Sequence, residues 1–200
     1  MNSSIVAPGI MLFTDVWDDY NKVISDIEEI TTDPAKVVFW KRAITGAKKE
    51  DLTVSEGRTN SNLILDSSWQ NTSNHYMNKA GTTCLGIIEK VSQGLNTYKE
   101  KYNPETQEIP TSMIALRYQE GQEYKQHADD GRGLNRLVSF VMYLNDDYEG
   151  GNIEFPHFDY NLKPPANSMI FFPSNYIYQH IAHPVKSGTK YAIVNWIDKL

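Results

Sequence analysis

From Ser112 to Trp196 the chain is divided into short runs rich in β-branched and aromatic residues, punctuated by Gly, Pro, Asn and Asp. Eight such runs stand out: Ser112–Tyr118, Tyr124–Ala128, Arg136–Leu144, Asn152–Phe155, Tyr160–Lys163, Ser168–Phe172, Tyr178–His183 and Lys190–Trp196. Short strands at this spacing predict a closed double sheet or jelly roll. The two-residue period of a strand then places His127 and Asp129 on one face. It does the same for Lys190, Ala192, Val194 and Trp196.

Before Pro110 the texture differs. Phe13, Val16, Trp17, Tyr20, Val23, Ile24 and Ile27 recur at spacings of three and four and predict an amphipathic helix over 13–30. Asp15, Asp18 and Asp19 would sit in its early turns, where negative charge suits the helix dipole. Leu85, Ile87, Ile88, Val91 and Leu95 predict a second helix over 83–98. The stretch 48–78 between them is polar and rich in Ser, Thr and Asn, with a short apolar run at 63–65, and reads as a loop that orders when something binds. The expectation is one α+β domain over 1–200, with helical support over about 1–110 and a jelly roll over about 111–200.

Composition narrows the partners. The net charge of −6 arises from mixed charges with no basic block, so there is no electrostatic footprint for nucleic acid. No stretch approaches the roughly 20 apolar residues of a membrane span. A single cysteine, Cys84, and an N-terminus without a basic or long apolar run point to a reducing, cytoplasmic setting.

A His-x-Asp pair such as His127 and Asp129 usually marks a solvated turn. The weighing changes with His180, which lies in the β-forming run YIYQHIAHPV, where a polar ring facing a core calls for a metal or a hydrogen bond. His183 is odd-spaced from His180 and precedes Pro184, so His180 is the inward candidate. His75 and His157 read as surface residues. Two imidazoles and one carboxylate can hold one face of a non-haem Fe(II) and leave other positions open. Zinc could use the same donors, although structural zinc sites favour four ligands including cysteine. Lys190 opens a strand whose same-face neighbours read as buried, and a lysine there needs an anionic partner.

The segments RYQEGQEYKQHAD, RLVSFVMYLN, EGGNIEFP, MIFFPSN and HIAHPVKSGTKYAIVNW, in this order, resemble the Fe(II)- and 2-oxoglutarate-dependent dioxygenases, specifically the prolyl 4-hydroxylase branch. The resemblance covers roughly Met113 to Trp196. It implies a double-stranded β-helix (jelly roll, cupin-like) core with N-terminal supporting helices. It further implies that His127, Asp129 and His180 hold iron, that Lys190 binds the distal carboxylate of 2-oxoglutarate, and that Tyr118 and Tyr143 lie beside this cosubstrate. Tyr124, Arg136 and Trp196 match positions near the substrate cleft. Gly150 and Gly151 match a turn between strands. The implied reaction consumes O2 and 2-oxoglutarate, releases succinate and carbon dioxide, and hydroxylates a substrate C–H, with ascorbate as a possible accessory. Asp129 favours hydroxylation over halogenation, because related halogenases lack this carboxylate. The implied substrate is a proline-containing peptide or protein. The alternatives are another side chain, a free amino acid or a nucleobase as target, or an idle jelly-roll binding module. Arg58, Thr59 and Asn60 resemble a short Arg-Thr-Ser-like stretch found before the catalytic half, but their polar surroundings read as a solvated loop.

Overall fold

The computed structural model describes residues 1–45, 53–131 and 133–200. It is mostly antiparallel sheet with two helices. In chain order the elements are β1 (Asn2–Ala7), β2 (Ile10–Thr14), α1 (Asn21–Ile30), β3 (Lys41–Arg42), β4 (Ser61–Asp66), α2 (His75–Tyr102), β5 (Ser112–Tyr118), β6 (Tyr124–His127) and β7 (Arg136–Tyr143). There follow β8 (Glu149–Gly150), β9 (Ile153–Phe155), β10 (Tyr160–Leu162), β11 (Ser168–Pro173), β12 (His180–Ala182), β13 (Val185–Ser187) and β14 (Lys190–Asp198). An eight-stranded sheet runs β1-β2-β11-β7-β14-β5-β4-β3, a four-stranded sheet runs β10-β9-β12-β6, and β13 pairs with β8.

The large sheet is apolar on both faces, and the two-residue period sorts its side chains between two cores. Met169 and Phe171 of β11, Phe140 and Met142 of β7, and Ile193 and Ile197 of β14 join Ile27, Ile30, Ile87 and Val91 of the helices. Their alternates, Ile170, Phe172, Tyr143, Ala192 and Val194, join Ile153 and Phe155 of the small sheet. The helices therefore back one face, and the other face looks onto the small sheet.

The second half follows the sequence expectation closely: β5 spans Ser112–Tyr118 as predicted, and the other strands shift by a few residues. The exception is 178–183, where a 3-10 turn at Tyr176–Tyr178 precedes β12. The first half departs further. Phe13 belongs to β2 and not to a helix, because Asp15 adopts a left-handed φ of 54° that separates the strand from the turn before α1. Asp15, Asp18 and Asp19 accordingly precede α1, whose first turn carries no acid. The three- and four-residue spacing read across 13–30 joined an alternating strand to a real helix.

The segment read as a loop over 48–78 is largely built structure; its residues 48–52 lie outside the described residues. Leu63 and Leu65 are buried on β4, which pairs with β5 along its length. The longer helix starts within the same segment, where the Asn74 side chain accepts from the Met77 N–H at 3.0 Å. Its polar first turns hid it from an apolar-period search. The N-terminal part is thus strands as well as helices. No helix among the described residues is long and apolar enough to cross a membrane.

Gly81 lets α2 approach the 67–69 turn. A Cβ there would meet the Gln70 backbone nitrogen at 2.2 Å and the Trp69 carbonyl carbon at 2.7 Å. Backbone atoms cannot step aside as a side-chain end can. Gly81→Ala is expected to lower stability by about 2 kcal/mol, despite alanine's better helix propensity, as overpacking does. Urea denaturation checks this, and an unchanged midpoint would refute it.

Candidate metal and anion site

His127 ends β6, Asp129 lies in the turn after it, and His180 opens β12 directly opposite His127 in register. Among the described residues these three form a cluster of possible metal donors, with ligand atoms within 4.8 Å of one another. The turn carrying Asp129 is fixed by its own N–H and that of Asp130, which both donate to the Ser174 carbonyl at 3.1 and 2.8 Å. Arg136 Nη1 donates to the Asp129 carbonyl at 2.9 Å.

Hydrogen bonds decide which imidazole nitrogens are free. His127 Nδ1 lies 2.8 Å from the Lys125 carbonyl and His180 Nδ1 lies 3.1 Å from the Tyr178 carbonyl. A carbonyl can only accept, so each Nδ1 carries a proton and Nε2 is the nitrogen through which each ring can offer a lone pair. Those Nε2 atoms face the Asp129 carboxylate, His127 to Oδ1 at 3.5 Å and His180 to Oδ2 at 3.9 Å. Burial pushes the His180 pKa down to about 4, so this ring is neutral at pH 7. Burial alone would raise the Asp129 carboxyl, but the neighbouring His180 and the His127 contact outweigh it and hold the group below the usual range. The two Nε2 atoms and the carboxylate lie close enough to one another to share one cation. The donor set therefore fits Fe(II): two imidazole nitrogens and one carboxylate oxygen, with no further protein donor in the cluster.

Lys190 supplies the second half of the site. It opens β14 opposite Tyr118, the last residue of β5. Only 3% of it is exposed, and its Nζ donates to the Gly151 carbonyl at 2.5 Å. The Tyr118, Tyr143 and Tyr148 ring centroids surround Nζ at 5.5, 5.1 and 5.8 Å. No carboxylate lies within ion-pair distance of it among the described residues. Burial pushes its pKa down to about 7. The same burial raises the Tyr118 hydroxyl to about 12 and the Tyr143 hydroxyl well above its ordinary value, so both phenols keep their protons. The cation is thus desolvated, held by π faces and one carbonyl, and lacks a full anionic partner.

One cavity takes in His127, Asp129, His180, Tyr118, Tyr143, Lys190, Tyr124 and Trp196. Arg136 lines the adjoining cleft, together with Tyr124, Asp129 and Trp196, and its guanidinium lies 3.5 Å from the Trp196 ring centroid. All of the site residues expected from sequence are therefore brought together. His183 turns away to Glu154 at 2.5 Å, His75 pairs with Glu29 at 2.9 Å, and His157 Nδ1 donates to the Ile177 carbonyl at 2.7 Å. Cys84 is buried and unpaired.

Arg58 corrects the reading of a solvated loop. It is 8% exposed, lines both the cavity and the adjoining cleft, and lies over the Tyr124 ring at 4.8 Å. Asn60 is fully buried beside it and accepts from Arg58 Nε at 3.2 Å. Composition pointed the wrong way here, and the Arg-Thr resemblance was the signal that could have found it. Tyr148 was missed altogether. Nothing in its local sequence reveals that its ring closes the lysine cage.

Residues 113–198 match the family profile of the 2OG-Fe(II) oxygenase superfamily. A PKHD-type hydroxylase from a Synechococcus strain is 32% identical over 99 residues, covering 44% of this chain and 43% of the relative. One from Acaryochloris marina is 36% identical over 95 residues, covering 44% and 42%. The matched stretch is thus less than half the length of these curated relatives. In fold, the chain is similar to a Pseudomonas putida prolyl-4-hydroxylase, with a TM-score of 0.66, 16% identity, and coverage of 96% of this chain and 93% of that one. A Trichoplax adhaerens prolyl hydroxylase, solved with a hypoxia inducible factor peptide, gives 0.67 at 18% identity, covering 96% and 84%. A viral collagen prolyl hydroxylase from Paramecium Bursaria Chlorella virus-1, solved with 2OG, gives 0.62 at 21% identity, covering 98% and 100%. Every candidate donor and Lys190 fall within residues 113–198, the stretch that matches the 2OG-Fe(II) oxygenase superfamily profile, and that match together with the donor cluster supports Fe(II), 2-oxoglutarate and O2 as the reacting partners.

Proposed function

We propose that this protein is a peptidyl prolyl 4-hydroxylase in which His127, Asp129 and His180 hold Fe(II), while Lys190, aided by Tyr118 and Tyr143, receives the distal carboxylate of 2-oxoglutarate. The observation that carries the reading is the pairing, in one cavity, of a donor cluster that calls for a cation with a buried lysine that calls for an anion. A molecule with a chelating head and a carboxylate tail satisfies both. We read the two sheets facing one another across this cavity as a double-stranded β-helix, with residues 1–200 working as one domain.

When bound, the iron supplies activation of O2 coupled to decarboxylation of the 2-oxo acid. The chain's own part is positional and electrostatic. The Lys125 and Tyr178 carbonyls keep the Nδ1 protons of His127 and His180 in place, so that both Nε2 atoms stay available. Lys190 neutralises the anionic tail, and the protonated Tyr118 and Tyr143 hydroxyls offer neutral donors beside it. The aromatic and aliphatic walls, including Leu116, Val141, Ile153 and Val194, exclude water from the reacting end.

Proline in a peptide is the target favoured by the cleft and by the likeness in fold. Arg58, Tyr124, Arg136 and Trp196 line the mouth, where guanidinium groups can meet peptide carbonyls and ring faces can meet an apolar pyrrolidine. The fold relatives named above are prolyl hydroxylases, and one was solved with a peptide. The test is mass spectrometry of a proline-rich peptide panel after aerobic incubation with Fe(II), 2-oxoglutarate and ascorbate, with His180→Ala as control. A gain of one oxygen on proline, absent from the variant, is expected. Succinate release with no oxidised proline in any peptide would overturn the prolyl assignment and leave another oxygenase target.

A further inference from the structure

The ring of Tyr124 is covered on both faces. On one side it stacks on the His127 imidazole, with centroids 3.5 Å apart and planes 13° from parallel. On the other, the Arg58 guanidinium lies 4.8 Å from its centroid. Tyr124 and His127 are three residues apart on β6, an odd spacing that in a regular strand would aim them at opposite faces. The pairing with β12 shows why they meet. His180 opposes His127 and Ala182 opposes Tyr124, so three steps on β6 match two on β12. This bulge re-aims one side chain.

Backbone bonds lock the stack. Arg58 bridges to Tyr124, Thr59 N–H donates to the Glu123 carbonyl at 3.0 Å, and Lys125 N–H donates to the Gly57 carbonyl at 2.8 Å. The Arg58 side chain is aimed by Asn60 Oδ1 at 3.2 Å and the Ile44 carbonyl at 3.5 Å. The segment at 57–60 therefore fixes the guanidinium, the tyrosine and the imidazole in one column.

Parallel stacking is a poor arrangement for two electron-rich rings, which prefer offset or edge contacts. It becomes favourable when one partner is electron-poor. An imidazole whose Nε2 is bound to a divalent cation is polarised positive, so the negative face of Tyr124 then lies between two positive groups. We infer that Tyr124, braced by Arg58, is a positioning residue for His127 that raises the affinity of the site for its metal by fixing the ring plane and favouring the metal-bound imidazole.

The inference rests on the metal assignment of His127, and the test separates the two. Mn(II) affinity of the metal-free protein is measured by electron paramagnetic resonance for wild type, Tyr124→Phe, Tyr124→Leu, Arg58→Met and His127→Ala, with thermal unfolding recorded for each without metal. The expected result is wild-type affinity in Tyr124→Phe and a loss of about fivefold in Tyr124→Leu, with a smaller loss in Arg58→Met. Tyr124→Leu should unfold near the wild-type temperature. Should it not fold, Arg58→Met, which keeps the ring and removes only the cation, decides the question. Wild-type affinity in the folded Tyr124→Leu or, failing that variant, in Arg58→Met overturns the inference. So does an equal loss in Tyr124→Phe and Tyr124→Leu, which would assign the effect to the hydroxyl. If His127→Ala binds Mn(II) as wild type does, the metal assignment itself fails.

Discussion

Asp129→Asn is expected to abolish metal binding and the proposed hydroxylation and to lower the stability of the metal-free protein. The carboxylate faces His127 Nε2 at 3.5 Å and His180 Nε2 at 3.9 Å, and these neighbours outweigh burial and hold its pKa below the usual carboxylate range. A carboxyl held below its unfolded value contributes stability that is present above about pH 4 and lost as the pH falls, and an asparagine forfeits it. With metal present the difference widens. A ligand that binds only the folded state at about 100 times its dissociation constant stabilises wild type by about 2.7 kcal/mol, and the variant should gain almost none of this. Turnover should fall below detection, since loss of a direct ligand exceeds the roughly 10- to 100-fold cost of disturbing an outer partner. Thermal unfolding with and without Mn(II), together with succinate release, checks the pattern. A variant that Mn(II) still stabilises as it does wild type would show that Asp129 is not a metal ligand.

Lys190→Met is expected to lose the second ligand while gaining stability in its absence. The lysine is 3% exposed, has the Gly151 carbonyl as its hydrogen-bond acceptor, and is surrounded by aromatic rings. Methionine fills similar space without a desolvated charge, so the ligand-free variant is expected to unfold at a higher temperature than wild type. Its affinity for 2-oxoglutarate should fall by about 100-fold or more, because the carboxylate tail would be buried unpaired.

The pH dependence has a definite sign. Burial pushes the Lys190 pKa down to about 7 from an ordinary value of 10.5. Between these two values the unfolded chain holds a proton that the ligand-free native state lacks, so this group makes stability rise with pH across that window and contributes no slope below pH 7. Binding of the anionic tail requires the protonated lysine. The dissociation constant for 2-oxoglutarate is therefore expected to climb by up to about tenfold per pH unit above pH 7. In Lys190→Met both slopes should vanish. Calorimetric titration of 2-oxoglutarate across pH 6–9 measures this. A flat profile in wild type would mean that the lysine stays charged without its ligand.

Much of the second half was legible because its elements are strands, whose period of two survives small errors in their ends. Lys190, Ala192, Val194 and Trp196 could be assigned to a shared face from spacing alone, and all four line one cavity, whereas Asp129 reaches the same cavity as His127 from the turn after β6, where strand alternation does not apply. The first half was harder. Its β2 strand and α1 helix run together in one apolar pattern, and β4 and the start of α2 lie in polar sequence. These elements are helped into place by long-range partners, such as β5 along β4, which no local window contains.

What the sequence determined by itself was the donor chemistry: two imidazoles, one carboxylate and a lysine at the head of an apolar strand face. Side-chain type and strand alternation are local properties, so they can be read residue by residue. Only the tertiary structure decided how these groups act together. It closed Tyr148 over Lys190 and buried Arg58. It also placed a bulge in β6, and so turned Tyr124 onto His127 against the alternation that spacing predicts. The physical reason is that a bulge exists only in the pairing of two strands, and a buried charge is defined by what other segments place around it. Neither is a property of any stretch of sequence taken alone.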